Sequence, residues 1–341
     1  MTVQTPLATD SALGAAYERT TCCVTGGAGF VGAHLVEALL GLGARVVIVD
    51  DLSTGDAELV STLLDAHAER LRFVHASVLE SRALDDAFER VGTVFHLAAF
   101  PVVSRSLAEP ERCIDVNVRG TVEVCQAARA AGAKRVVLAS SAAVYGQEPP
   151  TPTPEDAPVA PASPYAASKL GAEHVLGTWR SAFGLQSQSL RLFNVYGPRQ
   201  PAEDENSAVI SAFMKRARDG QAPVIYGDGM QTRDFVHVHD VVRAFLLAGS
   251  PGREADGRAI NIGTGRAVDL LTLAKSVWRA HEREPVRPEH TRVRPGDVRH
   301  SCADVSLAER ALGFRASVSL DEGIAGLVQR RKGEPAGSNA D

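Results

Sequence analysis

Tyr165-Ala-Ala-Ser-Lys169 places a phenol four residues before an ammonium. On a helix that spacing projects both groups from one face. A neighbouring ammonium favours the phenolate and lowers the phenol from its ordinary pKa of about 10. Tyr165 is therefore a candidate general base near neutral pH, with Lys169 as its electrostatic partner. Far upstream, Thr25-Gly-Gly-Ala-Gly-Phe-Val-Gly32 sets Gly26, Gly29 and Gly32 at three-residue spacing. A backbone there can turn tightly and approach a pyrophosphate that a Cβ would obstruct, with the next helix offering its first N–H groups. Asp50 stands about 20 residues beyond, where a carboxylate accepts hydrogen bonds from ribose hydroxyls. A carboxylate repels a 2′-phosphate, and Asp51-Leu-Ser-Thr-Gly55 supplies no arginine to receive one. The hydride acceptor that such a base requires is thus expected to be NAD rather than NADP.

These residues need a scaffold that holds a glycine loop and a distant Tyr–Lys helix against one another. Thr21–Thr25, Arg45–Val49, Leu71–His75, Thr93–Ala98 and Arg135–Ala139 are short apolar runs alternating with helical or polar segments, such as residues 31–42. That alternation predicts an α/β fold, a Rossmann-like doubly wound parallel sheet with helices on both faces. The seven prolines between Glu148 and Pro164 exclude helix and central strand, and predict a surface loop leading into the Tyr165 helix. Ser187–Asn194 reads as another strand. Beyond it the pattern loosens, with short helices expected at Ala208–Arg218 and Leu270–His281. The expected division is a flexible tail over 1–19 and a nucleotide domain over 20–196 plus 235–265. A smaller α/β substrate lobe covers 197–234 plus 266–330, followed by a second tail over 331–341.

The chain has 341 residues, 45% of them hydrophobic and 23% charged, with a net charge of -5. This is the balance of a soluble globular protein with ample core. The negative charge and the 5% aromatic content give no footing for nucleic acid or an anionic membrane. Cys22, Cys23, Cys113, Cys125 and Cys302 form no metal-ligand spacing, so no metal is expected, and an odd set of thiols fits a reducing, cytoplasmic setting. No run reaches the roughly 18 apolar residues of a spanning helix, and residues 1–19 lack the basic start and apolar run of a signal peptide.

Further motifs stand in order along the chain: His96-Leu-Ala-Ala99, Asn117-Val-Arg-Gly-Thr121, Ser140-Ser-Ala-Ala-Val-Tyr-Gly146, Arg191-Leu-Phe-Asn-Val-Tyr-Gly-Pro198, Gly227-Asp-Gly-Met-Gln-Thr-Arg-Asp234 and Arg294-Pro-Gly-Asp297. With the glycine loop, Asp50 and the Tyr–Lys pair, they resemble the extended short-chain dehydrogenase/reductase family, and within it the NAD-dependent nucleotide-sugar 4-epimerases. The resemblance runs from about residue 20 to 328. It implies that Tyr165 takes the C4 hydroxyl proton of a UDP-sugar while C4 gives hydride to NAD, with Ser141 bonded to the reacting oxygen. The 4-keto sugar then turns over and receives the hydride on its other face. Lys169 also holds the nicotinamide ribose. The resemblance assigns to the cofactor Gly26, Gly29, Phe30, Val31, Asp50, Asp51, Ser53, Val78, Leu97, Ala98, Ala99, Asn117, Ser140, Tyr165, Lys169 and Phe193. It assigns to the substrate Ser141, Tyr165, Asn194, Arg233, Arg294, Asp297 and Ser301.

Dehydratases of the family carry an acidic pair before the equivalent of Tyr145, and decarboxylating relatives a Glu before the Val. Here those positions are Ala142 and Ala143, and a methyl group can be neither acid nor base. Simple epimerisation is expected, with a UDP-glucuronate 4-epimerase as the alternative and a non-catalytic nucleotide sensor as the reading from another class. Ser301, where the 4-epimerases place a gate residue, is small and implies room for an N-acetyl group. Ser77 and Pro101 depart from the Asp and Lys common in the family. The resemblance also implies a homodimer through helices over 117–131 and 165–183.

Overall fold

The computed structural model describes residues 11–201, 209–251, 256–284, 286–293 and 297–333. Among them twelve strands run in chain order: β1 (Thr21–Thr25), β2 (Arg45–Asp50), β3 (Leu71–His75), β4 (Thr93–His96), β5 (Arg135–Ser141), β6 (Gln186–Leu192), β7 (Asn194–Tyr196), β8 (Val224–Tyr226), β9 (Thr232–His237), β10 (Ala259–Ile262), β11 (Ala267–Asp269) and β12 (Glu289–Thr291). Seven form one sheet in the order β10-β6-β5-β4-β1-β2-β3, and every neighbouring pair is parallel. The order reverses between β1 and β4, where a parallel α/β sheet opens its crevice for a ligand.

The strands are apolar throughout because both faces are covered. Cys22, Val24, Val46, Ile48 and Val137 face a core shared with the helices Phe30–Gly41 and Val238–Gly249. Their chain neighbours Cys23, Val47, Val49, Val136 and Leu138 face a second core with the helices Ser81–Ala87, Gly120–Ala130 and Pro164–Phe183. This period-two division is what a pleated strand requires. Burial pushes the Cys22 thiol up to about 12, so it behaves as a small apolar side chain.

A third core, built on Phe213, Ile225, Phe235, Trp278 and Ile324, supports the three-stranded sheet β11-β9-β7 and the pair β12-β8. Two boundary expectations change. The expected tail holds a helix, Ser11–Tyr17. Leu13 and Tyr17 are buried, and the Tyr17 hydroxyl donates to the Leu246 carbonyl at 2.7 Å. Leu13 and Tyr17 stand one turn apart on one helix face, a pattern too short to stand out among alanines. The helix Ser306–Leu312, assigned to the lobe, packs Leu307, Ala308 and Leu312 into the nucleotide-side core together with Phe314. The last helix, Leu320–Gly333, runs into the expected C-terminal tail, whose remainder from 334 lies outside the described residues.

Candidate active site

The glycine loop joins β1 to the Phe30–Gly41 helix, and no side chain caps that helix, so its first turn presents backbone N–H groups to the loop. Gly26 has φ +73°, and a Cβ there would sit 2.5 Å from the Ala98 nitrogen. The loop therefore lies directly against the residues that follow β4, Leu97 and Ala98. A Cβ on Gly32 would fall 2.0 Å from the Gly26 carbonyl oxygen, so the helix can approach the loop only as glycine. Asp50 ends β2, 8% exposed, and its two carboxylate oxygens accept the backbone N–H groups of Ala28 and Leu52 at 2.9 Å each. Burial raises its pKa while these bonds lower it. The carboxylate keeps lone pairs beyond those two bonds. Gly29, Phe30, Val31, Leu97, Ala98 and Ala99 are part-exposed around the loop, and Asp51 and Ser53 are exposed beyond β2. A narrow backbone cradle beside a carboxylate fits the pyrophosphate and ribose of NAD.

The Pro164–Phe183 helix starts with Ser163 as its cap, whose hydroxyl accepts the Ala166 N–H, and with Pro164 in the first turn. It carries Tyr165 and Lys169 toward the end of β5. The Ser141 hydroxyl bonds the Tyr165 phenol and also accepts the Ala143 N–H at 3.2 Å. The Lys169 Nζ donates to the Ala139 carbonyl at 2.9 Å and lies 5.9 Å from the Tyr165 ring centroid. Ser141, Tyr165 and Lys169 are thus brought together. Their electrostatics differ from the expectation from spacing: burial pushes the Tyr165 phenol up, and the opposing influence is the Ser141 hydrogen bond, not Lys169. Burial also brings the Lys169 ammonium down to about 8. Helical spacing could not show that both groups lose water together.

Four residues assigned to the cofactor by resemblance have buried side chains with partners within the chain. Ser140 donates to Glu173 Oε1 at 2.5 Å. Asn117 sits in a single π-helical turn, accepting the Phe100 N–H at 2.6 Å and donating to Ser168 Oγ at 2.8 Å. Val78 lies where a Cβ on Gly120 would meet it at 2.7 Å. Phe193 packs with Val144, Tyr145, Ala157 and Ala303. These side chains shape the walls behind the cleft. Ser77 closes a turn, its N–H donating to Glu80 Oε1 at 2.8 Å.

Of the residues assigned to the substrate by resemblance, Arg233 in β9 forms an ion pair with Asp297, the two side chains 14% and 27% exposed. Burial lowers the Arg233 pKa and Asp297 opposes that. The Ser301 N–H donates to the Thr232 carbonyl at 3.2 Å, so Ser301 lies alongside the same strand. Asn194 is exposed at the start of β7, which pairs with β9 at Phe235. Arg294 lies outside the described residues. Asp234 is fully buried and accepts from Thr264 and from the Gly265 and Ala303 N–H groups, tying β9 to the Ser301 segment. Among the described residues no cluster of His, Cys, Asp and Glu could hold a metal ion.

The sequence profile of the NAD dependent epimerase/dehydratase family matches residues 22–263. The chain belongs to this family. It is 41% identical over 308 residues to a UDP-glucose 4-epimerase of Mycolicibacterium smegmatis, covering 90% of this chain and 96% of the relative. Its structure matches a UDP-glucose 4-epimerase from Thermotoga maritima solved with UDP-glucose, with a TM-score of 0.85 at 34% identity over 92% of this chain and 99% of that one. It also matches a UDP-N-acetylglucosamine 4-epimerase from Methanobrevibacter ruminantium in complex with UDP-N-acetylmuramic acid, with a TM-score of 0.84 at 32% identity and the same coverage.

Two further polar arrangements draw on motif residues, His96 and Arg191, to which the sequence assigns no role. His96 is buried, with Nδ1 2.7 Å from Thr25 Oγ1 and Nε2 3.1 Å from Thr121 Oγ1. The Thr121 hydroxyl donates its one proton to the Asn117 carbonyl at 2.6 Å, so Nε2 must be the donating nitrogen and Nδ1 the acceptor. The other arrangement is the buried ion pair Arg191–Glu173, at 2.8 Å with 8% and 9% side-chain exposure. Glu173 stands four residues after Lys169, so the helical period that links Tyr165 to Lys169 could have flagged it.

Proposed function

We propose that this protein is an NAD-dependent UDP-sugar 4-epimerase that inverts C4 of UDP-N-acetylglucosamine, UDP-glucose or both through a transient 4-keto sugar. The observation that carries this reading is the chemistry of the Ser141–Tyr145 turn beside the Tyr165 phenol. Ala142 and Ala143 occupy a single 3-10 turn and present methyl groups where an elimination or decarboxylation would need an acid or base.

NAD, when bound, supplies the hydride acceptor and donor for C4. The glycine loop, Phe30, Val31 and Asp50 would hold it. Tyr165 receives the C4 hydroxyl proton and returns it, with the Ser141 hydroxyl fixing the phenol's lone pair in direction. Lys169, with one N–H on Ala139 and two others available, keeps a positive charge beside the developing phenolate. Arg233 offers its guanidinium to the diphosphate in the bidentate manner that suits phosphate. Asn194, Arg294 and Asp297 hold the remainder of the nucleotide.

Ser301 leaves space for an N-acetyl group. Ser301→Tyr is expected to abolish turnover of UDP-N-acetylglucosamine and to spare UDP-glucose, measured as kcat/KM on each; intact turnover of the N-acetylated sugar would refute the gate. A panel of UDP-sugars, read for C4 configuration and for loss of water or carbon dioxide, tests the reaction class. Preference for UDP-glucuronate would move the assignment to that branch. We infer a homodimer, supported by the apolar surface that Val103, Leu107, Ile114 and Phe183 leave exposed on the helical layer around Pro164–Phe183, and a cytoplasmic setting from the odd set of thiols. A monomer in sedimentation equilibrium would remove the dimer. No helix of the described residues is long and apolar enough to cross a membrane.

A further inference from the structure

Three adjacent strands carry a row of polar residues directly behind the catalytic groups. Ser140 of β5 pairs in register with Arg191 of β6, and Arg191 with Asn261 of β10. Each of these side chains is buried. Arg191 forks onto Glu173, with Nε to Oε1 at 3.0 Å and Nη2 to Oε2 at 2.8 Å, and Ser140 donates to the same Oε1. The remaining guanidinium nitrogen reaches the Tyr145 hydroxyl at 2.9 Å and the Glu155 carbonyl at 3.1 Å. The Tyr145 hydroxyl donates to Asn261 Oδ1 at 2.6 Å, and Glu155 Oε1 accepts the Asn261 N–H at 2.9 Å.

Glu173 is the point where this row meets the catalytic helix. Ser140 lies between Ala139, whose carbonyl receives the Lys169 ammonium, and Ser141, which bonds the Tyr165 phenol. Lys169 stands one helical turn before Glu173. The Ser140–Glu173 bond therefore fixes the end of β5 to the catalytic helix at the residue between the two that Lys169 and Tyr165 use. Bidentate pairing holds the Glu173 carboxylate in one orientation, and its low exposure leaves water little chance to compete.

Resting on the epimerase reading above, we propose that Glu173, oriented by Arg191, is a positioning residue of the reaction: it sets the separation of Ser141 and Lys169 and places a carboxylate one helical turn from the Lys169 ammonium. The groups facing Lys169 are Tyr165 and Glu173 on its own helix, Cys113 on the Pro110–Ile114 helix and His96 on β4. Burial keeps the His96 ring neutral; against the burial of the ammonium act Cys113 and then the Glu173 carboxylate charge. Removing that charge leaves Arg191 as an uncompensated cation, and both changes push the ammonium to release its proton at lower pH. The ammonium already stands near 8.

Glu173→Gln keeps the shape of the side chain and removes its charge. The expected result is a fall in kcat of more than about tenfold with KM within about twofold, and an alkaline limb of kcat moved to lower pH by about one unit, the scale of a neighbouring charge effect. Glu173→Asp is expected to recover part of the pH profile. Ser140→Ala leaves the ion pair in place and cuts its link to β5; it should lower kcat less and keep the alkaline limb of the parent. The Lys169 side-chain 13Cε titration, followed by NMR in parent and Glu173→Gln protein, reads the same shift without turnover. A parent protein with no turnover would sink the epimerase reading and leave this titration to decide the role of Glu173. A folded Glu173→Gln protein with the parent's kcat and pH profile, or an unchanged Lys169 titration, would overturn the proposal. If Glu173→Gln does not fold, an unchanged kcat in Ser140→Ala overturns the positioning role.

Discussion

Among the residues assigned to the cofactor, Asp50, Asn117 and Ser140 are buried polar groups already partnered within the chain; among those assigned to the substrate, Arg233 and Asp297 are charged, partly exposed and paired with one another. Asp50 and Asn117 accept backbone N–H groups of the loops at the strand ends, and His96 bonds the Thr25 hydroxyl of β1. Arg233 and Asp297 instead hold each other. The difference teaches how one cleft serves two ligands. The cofactor side is preorganised, because the backbone that builds it cannot rearrange without breaking buried hydrogen bonds. Arg233 and Asp297 are instead held by an ion pair, and the proposed exchange is of that carboxylate for a phosphate of similar fork geometry.

The comparison can be broken at its centre first. Tyr165→Phe should lower kcat by about 10² to 10⁴-fold, the usual contribution of a general acid–base group, while UDP-sugar affinity by calorimetry stays near the parent's. Gly26→Ala comes next, since its Cβ would meet Ala98 and Leu97 backbone atoms below 3 Å and its φ is +73°. The purified variant should contain far less NAD by absorbance and enzymatic assay. Arg233→Gln should instead raise KM by about 10- to 100-fold, matching the 1.5–3 kcal/mol of a charged hydrogen bond, with kcat changed much less. A variant of Arg233 that lost NAD, or a Gly26 variant that lost only substrate affinity, would reverse the contrast.

The smallest effect concerns stability. Burial lowers His96 from its ordinary 6.5 to about 3, with the Lys169 charge adding to it. Between those values the unfolded chain takes up a proton that the folded chain does not, so the stability tied to this group is full above about 6.5 and is lost as pH falls toward 3. His96→Gln should flatten the acid side of a Tm-against-pH curve; an identical acid slope would contradict the assignment of a neutral, buried ring.

Much of this was legible in the chain. The five strands from Thr21 to Ser141 are readable because parallel strands buried on both faces are continuously apolar, and their ends fall within a few residues of the expected positions. The glycine loop and Asp50 are readable because their chemistry is local. What the sequence conceals is depth. The Tyr165–Lys169 spacing is correct, yet water exclusion governs both groups and the spacing carries no sign of it. Ser140 and Asn117 stand in motifs that touch the cleft, while their side chains turn away toward Glu173 and Ser168. The Ser11–Tyr17 helix and the Ser306–Leu312 helix find their partners far along the chain, at Leu246 for Tyr17, and such contacts leave no local pattern.

The central claim is that one carbon is oxidised and re-reduced within one cleft, with Tyr165 moving the proton. The most direct test is incubation of the purified protein with UDP-[4-²H]glucose and its N-acetylated analogue, with the products analysed by NMR and mass spectrometry. Inversion at C4, full retention of deuterium at that carbon and no change in mass are the expected result. Hydrogen from solvent at C4, or a product lighter by water or carbon dioxide, would contradict it.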